Sequence, residues 1–175
     1  MEEVTLGPLR ASKLDQYYTW RNCPSIYKWC RQFEPLTEVA HLKWFEGLQN
    51  RQDVRMYEVQ AYEAPVGVCG LTSIDMINRR AEFSLYIGPE HQGKGIGFKA
   101  LKLLCARGFY NLNLNSIFGE SFAGNPAMEM FKGVGFQFEG VRREFYYRDG
   151  RYVDAHLFSI LKWEFDEKWN VPLLL

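Results

Sequence analysis

Ala81-Glu82-Phe83-Ser84-Leu85-Tyr86-Ile87-Gly88 alternates as a strand, then runs through Pro89-Glu90-His91 into Gln92-Gly93-Lys94-Gly95-Ile96-Gly97 and an amphipathic helix. Strand, glycine-rich turn and helix together build a phosphate-binding loop. Glycines at alternate positions let the backbone curl with its N–H groups inward. The helix that follows adds its own unpaired N–H groups and the positive end of its dipole. A pyrophosphate suits that spot. Two familiar phosphate loops are excluded by single residues. A P-loop ends in Gly-Lys-Ser/Thr, whereas Gly93-Lys94 is followed by Gly95. The dinucleotide fingerprint needs glycine at 98, where Phe98 stands, and this loop lies mid-chain rather than in a first βαβ unit.

With 175 residues, 47% of them hydrophobic, the chain can bury one substantial core, and residues 1–175 read as one domain. Lys plus Arg and Asp plus Glu balance at 21 each, with no sustained basic run, so no nucleic-acid partner is expected. No 18-residue apolar run or signal-peptide pattern is seen, so no membrane partner is expected and the cytoplasm is the expected location. Cys23, Cys30, Cys69 and Cys105 lack C-x-x-C spacing and read as buried thiols. His41, His91 and His156 are far apart in sequence, and no metal is expected.

Periodicity gives a mixed α/β order. Val4 to Leu9 reads as a strand, and Ser12-x-x-Asp15 offers N-cap chemistry for a helix through Trp20. A helical segment broken at Pro24 follows, then a helix from Val39 to Leu48 opened by Thr37-Glu38. Three strands come next: Arg55 to Tyr62, Val66 to Ile74 after a turn at Ala64-Pro65, and Arg80 to Ile87 after a turn at Ile77-Asn78-Arg79. The motif helix spans Gly95 to Phe109, with Ile96, Ala100, Leu103 and Leu104 on its apolar side. A strand from Ser116 to Phe122 and a short helix after Asn125-Pro126 precede a hairpin, Phe136 to Tyr147 and Arg151 to Trp163, turning at Asp149-Gly150.

The Gln-x-x-Gly-x-Gly pattern at Gln92 to Gly97 resembles the acyl-CoA-binding motif of the GNAT superfamily of N-acetyltransferases, and the element order from about residue 4 to 163 is similar to that fold. The resemblance implies an α/β (α+β) architecture: a mixed central sheet of about seven strands with a splayed acyl-CoA-binding pair, flanked by four helices. It implies acetyl-CoA as cosubstrate. Pantetheine would pair with Leu85, Tyr86 and Ile87. Gln92, Gly93, Lys94, Gly95, Ile96, Gly97 and Phe98 would form the phosphate loop, Asn125 would contact pantetheine, and Phe131 would stand beside the CoA sulfur. Trp20-Arg21-Asn22, His41-Leu42-x-Trp44-Phe45, Asn78-Arg79-Arg80-Ala81-Glu82 and Gly135-Phe136 through Glu144 resemble the amino-sugar branch, which acetylates a nucleotide-linked 4-amino sugar. Ribosomal-protein N-terminal-alanine acetyltransferases share the core.

Acetyl transfer from a thioester to nitrogen needs a neutral amine, a polarised carbonyl and a departing thiolate. At pH 7 a lysine-like amine is roughly one part in 2,500 neutral, a handicap of about 4 to 5 kcal/mol, against about 1.4 for an amine of pKa near 8. Strand alternation puts Glu82, Ser84 and Tyr86 on one face, so a carboxylate and a phenol share a surface. Glu82 is the candidate base, acting through water; its alternative is an ion pair with Arg79, Arg80 or Arg21. His91 is a second candidate. Relatives usually place a proton-donating tyrosine five residues before the Phe of Gly-Phe, and this chain has Phe131 there; Asn125 is displaced by one residue.

The resemblance assigns the acceptor to the amino-terminal helices, where Arg21, Asn22, His41 and Trp44 are the candidate contacts. The preferred acceptor is a nucleotide-linked amino sugar. Runners-up are a protein N-terminus or a small amine such as a polyamine, which would call for acid that these helices lack. A catalytically weak acyl-CoA-binding domain is the other class. Expected edge strands and the apolar tail Val171-Pro172-Leu173-Leu174-Leu175 permit a homodimer.

Overall fold

The computed structural model describes residues 3–32 and 34–170; the apolar tail lies outside them. Seven strands form one sheet: β1 (Thr5–Gly7), β2 (Arg55–Ala61), β3 (Ala64–Asp75), β4 (Arg80–Ile87), β5 (Ser116–Phe122), β6 (Gln137–Arg148) and β7 (Arg151–Leu161). Their order is β1-β2-β3-β4-β5-β7-β6, and every neighbouring pair is antiparallel except β4 with β5. Among the described residues six α-helices accompany them: α1 (Leu14–Arg21), α2 (Pro24–Tyr27), α3 (Glu38–Gly47), α4 (Ile96–Ala106), α5 (Ala127–Val134) and α6 (Lys162–Trp169). Among the described residues no helix is long and apolar enough to cross a membrane.

The alternation of β4 divides the core. Ala81, Phe83, Leu85 and Ile87 join the main cluster, whereas Tyr86 packs on the opposite side against Tyr17, Trp20, Ile26 and Val68. Helix α4 covers the main cluster with Ile96, Ala100, Leu101, Leu104 and Cys105. Leu103, expected on that apolar side, is exposed instead. Cys69 and Cys105 are buried, and burial pushes the Cys69 thiol up to about 12; Cys23 and Cys30 are only half-buried.

Several local expectations change. Ser12 makes no side-chain cap for α1, which is entered through a 3-10 turn over Ala11–Lys13. Pro24 starts α2 rather than breaking a helix, because a first-turn N–H has no intrahelical partner to lose. Thr37 caps α3 as expected, its Oγ1 accepting from the Ala40 N–H at 3.2 Å. The β2–β3 turn falls at Tyr62-Glu63, both at positive φ, and Ala64-Pro65 already belong to β3. Pro65 is tolerated there because the ladder shifts register opposite it, at Val59/Gln60. Among the described residues six helices replace the four expected: α2 is separate, and the last strand ends at Leu161, so Trp163 lies in the first turn of α6. That turn is fixed by the Leu161 N–H donating to Glu164 at 2.8 Å and by burial of Phe165.

Candidate active site

Strands β4 and β5 pair only at Arg80↔Ser116, Ala81↔Ile117 and Glu82↔Phe118, then part. The cause is an aromatic wedge. The Phe83 ring lies over Gly119, where a Cβ would run into it, and meets Phe131 and Phe136 edge-on at 5.0 Å each. Beyond Glu82 the two strands no longer pair with each other. The opening is part of a cleft of about 1070 Å³ that runs from the glycine loop to the amino-terminal helices, roomy enough for two ligands at once.

At the loop end, Gly93 and Gly95 both have φ +73, and a Cβ on either would meet nothing within 4 Å. Backbone conformation, not space, requires glycine there. Gly97 lies inside α4 and does not share that conformation; its constraint is Met130, whose sulfur would sit 3.0 Å from a Cβ. Lys94 Nζ donates back to the Glu90 carbonyl at 3.0 Å, and Gln92 Nε2 donates to the Ile87 carbonyl at 2.9 Å, fastening the loop to β4. No side chain caps the start of α4, so its first-turn amides point at the same space. Gly95→Ala is expected to weaken CoA binding about tenfold through the left-handed backbone. Gly47→Ala, at ordinary φ in open space, serves as control in the same calorimetry.

The other end of the cleft is ionic. Arg31, between α2 and α3, forks onto Glu82 with both terminal nitrogens at 2.9 Å and reaches Glu120 at 3.5 Å. Glu120 also accepts from Arg142 at 3.1 Å and from the Tyr146 hydroxyl. Burial, reinforced by that hydrogen bond, pushes the Tyr146 phenol up to about 12. The partner of Glu82 is therefore neither Arg79, Arg80 nor Arg21; Arg80 turns to Asp75 at 3.4 Å. Glu120 escaped the sequence reading, although it stands two residues beyond Phe118, the register partner of Glu82, and so on the same face.

Other candidates fall on both sides of the line. Tyr86 and Arg21 line the cleft, and neither side chain has a hydrogen-bond or ion-pair partner among the described residues. Burial holds the Tyr86 phenol well above its ordinary value. His41 also lines it, buried, with Nε2 unpaired; its ring stacks on Trp44 at 5.2 Å, and burial lowers its pKa, keeping the imidazole neutral. Asn22 is outside the cleft lining, and its amide clamps both backbone groups of Leu36. His91 lines the cleft at its loop end, edge-on to Trp20 and 3.4 Å from Glu90, and has no contact with the Arg31, Glu82 and Glu120 cluster among the described residues. Asn125 lines the cleft but caps α5, accepting from the Ala127 N–H at 3.0 Å while donating to Ser121 at 2.8 Å. Phe131 is buried among Phe83, Phe136 and Phe158. Among the described residues no cluster of His, Cys, Asp and Glu could hold a metal ion.

Comparison with known proteins places this geometry. The Acetyltransferase (GNAT) domain family matches residues 3–137. An uncharacterized N-acetyltransferase, p20, of Bacillus licheniformis is 30% identical over 174 residues, covering 94% of this chain and 96% of its own length. The spermidine N(1)-acetyltransferase of Escherichia coli K12 is 28% identical, over 97% of this chain and 91% of its own. The crystal structure of the Vibrio cholerae spermidine N-acetyltransferase in complex with CoA and spermine superposes with a TM-score of 0.88 at 27% identity, covering 93% of this chain and 97% of that one.

Proposed function

The chain belongs to the GNAT acetyltransferase family and is an acetyl-CoA-dependent N-acetyltransferase of amines, and from that premise we propose that its acceptor is a small aliphatic polyamine. The observation that carries the acceptor is the pair of carboxylates, Glu82 and Glu120, side by side at the ionic end of the cleft. A polyamine brings ammonium groups spaced along an apolar chain, so one nitrogen can be deprotonated while another is held by charge. The acid that the amino-terminal helices lack is supplied by β4 and β5. The amino-sugar acceptor expected from the branch motifs has no counterpart among the named relatives, of which the two with a stated acceptor are spermidine enzymes. Arg21, half-buried and without an ion-pair partner among the described residues, favours it as a second reading, because such a guanidinium suits a diphosphate.

The cleft fits an acyl-CoA. Its pyrophosphate would lie on the amides at Gly93 to Phe98, and its extended arm beside Leu85 to Ile87 where β4 has lost β5; bound there, it supplies the activated acetyl group. Glu82 takes the proton from the acceptor nitrogen. Tyr86 replaces the phenol missing at Phe131 and gives a proton toward the departing sulfur. For a thiol of pKa about 8.5 that proton is worth only about 2 kcal/mol at pH 7. Tyr86→Phe is therefore expected to lower kcat about tenfold at pH 7 and progressively less above pH 8.5. Phe131→Tyr in that background is expected to recover part of the loss. A kcat indifferent to Tyr86→Phe would remove the assignment.

The overall test is release of CoA thiol from acetyl-CoA with spermidine, spermine, a nucleotide-linked amino sugar and an N-terminal peptide as acceptors. Turnover of the polyamines is expected. Turnover of the amino sugar alone would move the acceptor to the second reading, and acetyl-CoA binding without release across the panel would leave a binding domain.

A further inference from the structure

Resting on the polyamine assignment, we propose that the Arg31 guanidinium stands in the acceptor's ammonium seat, so that an incoming cationic amine must displace it and Arg31 sets how tightly the site takes cations. The seat is built from two different strands. Glu82 and Glu120 share one face where β4 and β5 part, with side chains only 12% and 9% exposed, whereas Arg31 is 53% exposed. Buried carboxylates facing an exposed cation are arranged as a site with an occupant, since the cation can leave to water and the carboxylates cannot.

The partners divide in the same way. Glu120 keeps Arg142 and the Tyr146 hydroxyl when Arg31 departs. Glu82 has Arg31 as its sole polar side-chain partner among the described residues, so departure frees it for an ammonium group. Exchanging guanidinium for ammonium preserves the charge of the seat. Without either, two half-desolvated carboxylates would face each other, which is costly. Arg31 thus balances the empty site and competes with the substrate for it. Its place in the chain permits exchange: the described residues between α2 and α3, 28–32 and 34–37, form no helix or strand.

The sign of one effect tests this. Arg31→Gln removes the resident cation, and spermidine titrated calorimetrically onto protein saturated with CoA, which has no acetyl group to give, is expected to bind roughly three- to tenfold more tightly than to wild type. Glu120→Gln is expected to bind it more weakly. CoA affinity and thermal melting of each variant check that the fold is intact. Unchanged or weaker spermidine binding to Arg31→Gln overturns the proposal, as does absence of binding to both proteins; the weaker result would make Arg31 a support that orders Glu82 and Glu120 rather than a competitor for them. Tighter binding to Arg31→Gln without thiol release from acetyl-CoA would keep the seat and remove the polyamine as substrate. Thiol release with spermidine but no gain from Arg31→Gln would do the reverse.

Discussion

Glu82→Gln is expected to lower kcat with spermidine at pH 7 by about two to three orders of magnitude, the range for loss of a positioned general base. The amide has the size of the carboxylate and can still accept a hydrogen bond from Arg31, so the geometry at 2.9 Å is perturbed little. What disappears is the capacity to take a proton. An aliphatic amine of pKa about 10.4 is almost wholly protonated at pH 7, and the base must help meet that cost of about 4 to 5 kcal/mol. Near pH 10 solvent supplies the free amine, and the deficit of the variant is expected to shrink toward about tenfold. Steady-state rates of both proteins between pH 7 and 10 read this directly. A deficit constant across that range would assign Glu82 to holding Arg31 rather than to proton transfer.

The parts of the site that were legible in sequence are those written in one continuous segment. Strand β4 and strand β5 were bounded correctly because alternation and flanking turn residues define them locally, and Gly93 and Gly95 declared the loop by a conformation only glycine adopts cheaply. Glu82 was legible as a carboxylate on the strand face that lines the cleft. Its partner was not: Arg31 lies 51 residues away in a stretch with no periodicity, and nothing local says that it reaches β4. Glu120 was hidden for a related reason, since its meaning comes from the parallel register of β5 on β4, set by packing of Phe83 over Gly119. The first two residues of α6, Lys162 and Trp163, read as the end of the last strand because Trp163 continues the apolar composition of Phe158 to Leu161, while the change of period only shows through Phe165 and Trp169.

The second large effect concerns the wall that carries the acceptor-side helices. Glu58 on β2 is fully buried and accepts from Arg10 at 2.7 and 3.2 Å, from Gln60 at 2.8 Å and from the Tyr17 hydroxyl. Tyr17 belongs to α1, so this cluster fastens the helix bearing Arg21 to the sheet. Tyr17→Phe keeps the ring and removes one donor from a buried carboxylate, and is expected to destabilise the fold by about 1.5 to 3 kcal/mol. For a chain of this length that corresponds to a fall in Tm of roughly 4 to 10 °C. The pH dependence separates the hydrogen bond from packing. Burial would raise the Glu58 carboxyl, but its donors outweigh burial and hold it below its ordinary 4.5. Its stabilising contribution is therefore complete above that value and lost as pH falls through the folded pKa. With one donor gone the folded pKa rises, so the deficit of Tyr17→Phe is largest at neutral pH and narrows as pH falls and wild type also loses its charge. Urea unfolding of both proteins from pH 3.5 to 7.5 measures the gap. A gap independent of pH would mean that the phenol contributes by packing alone and that Glu58 is held without it.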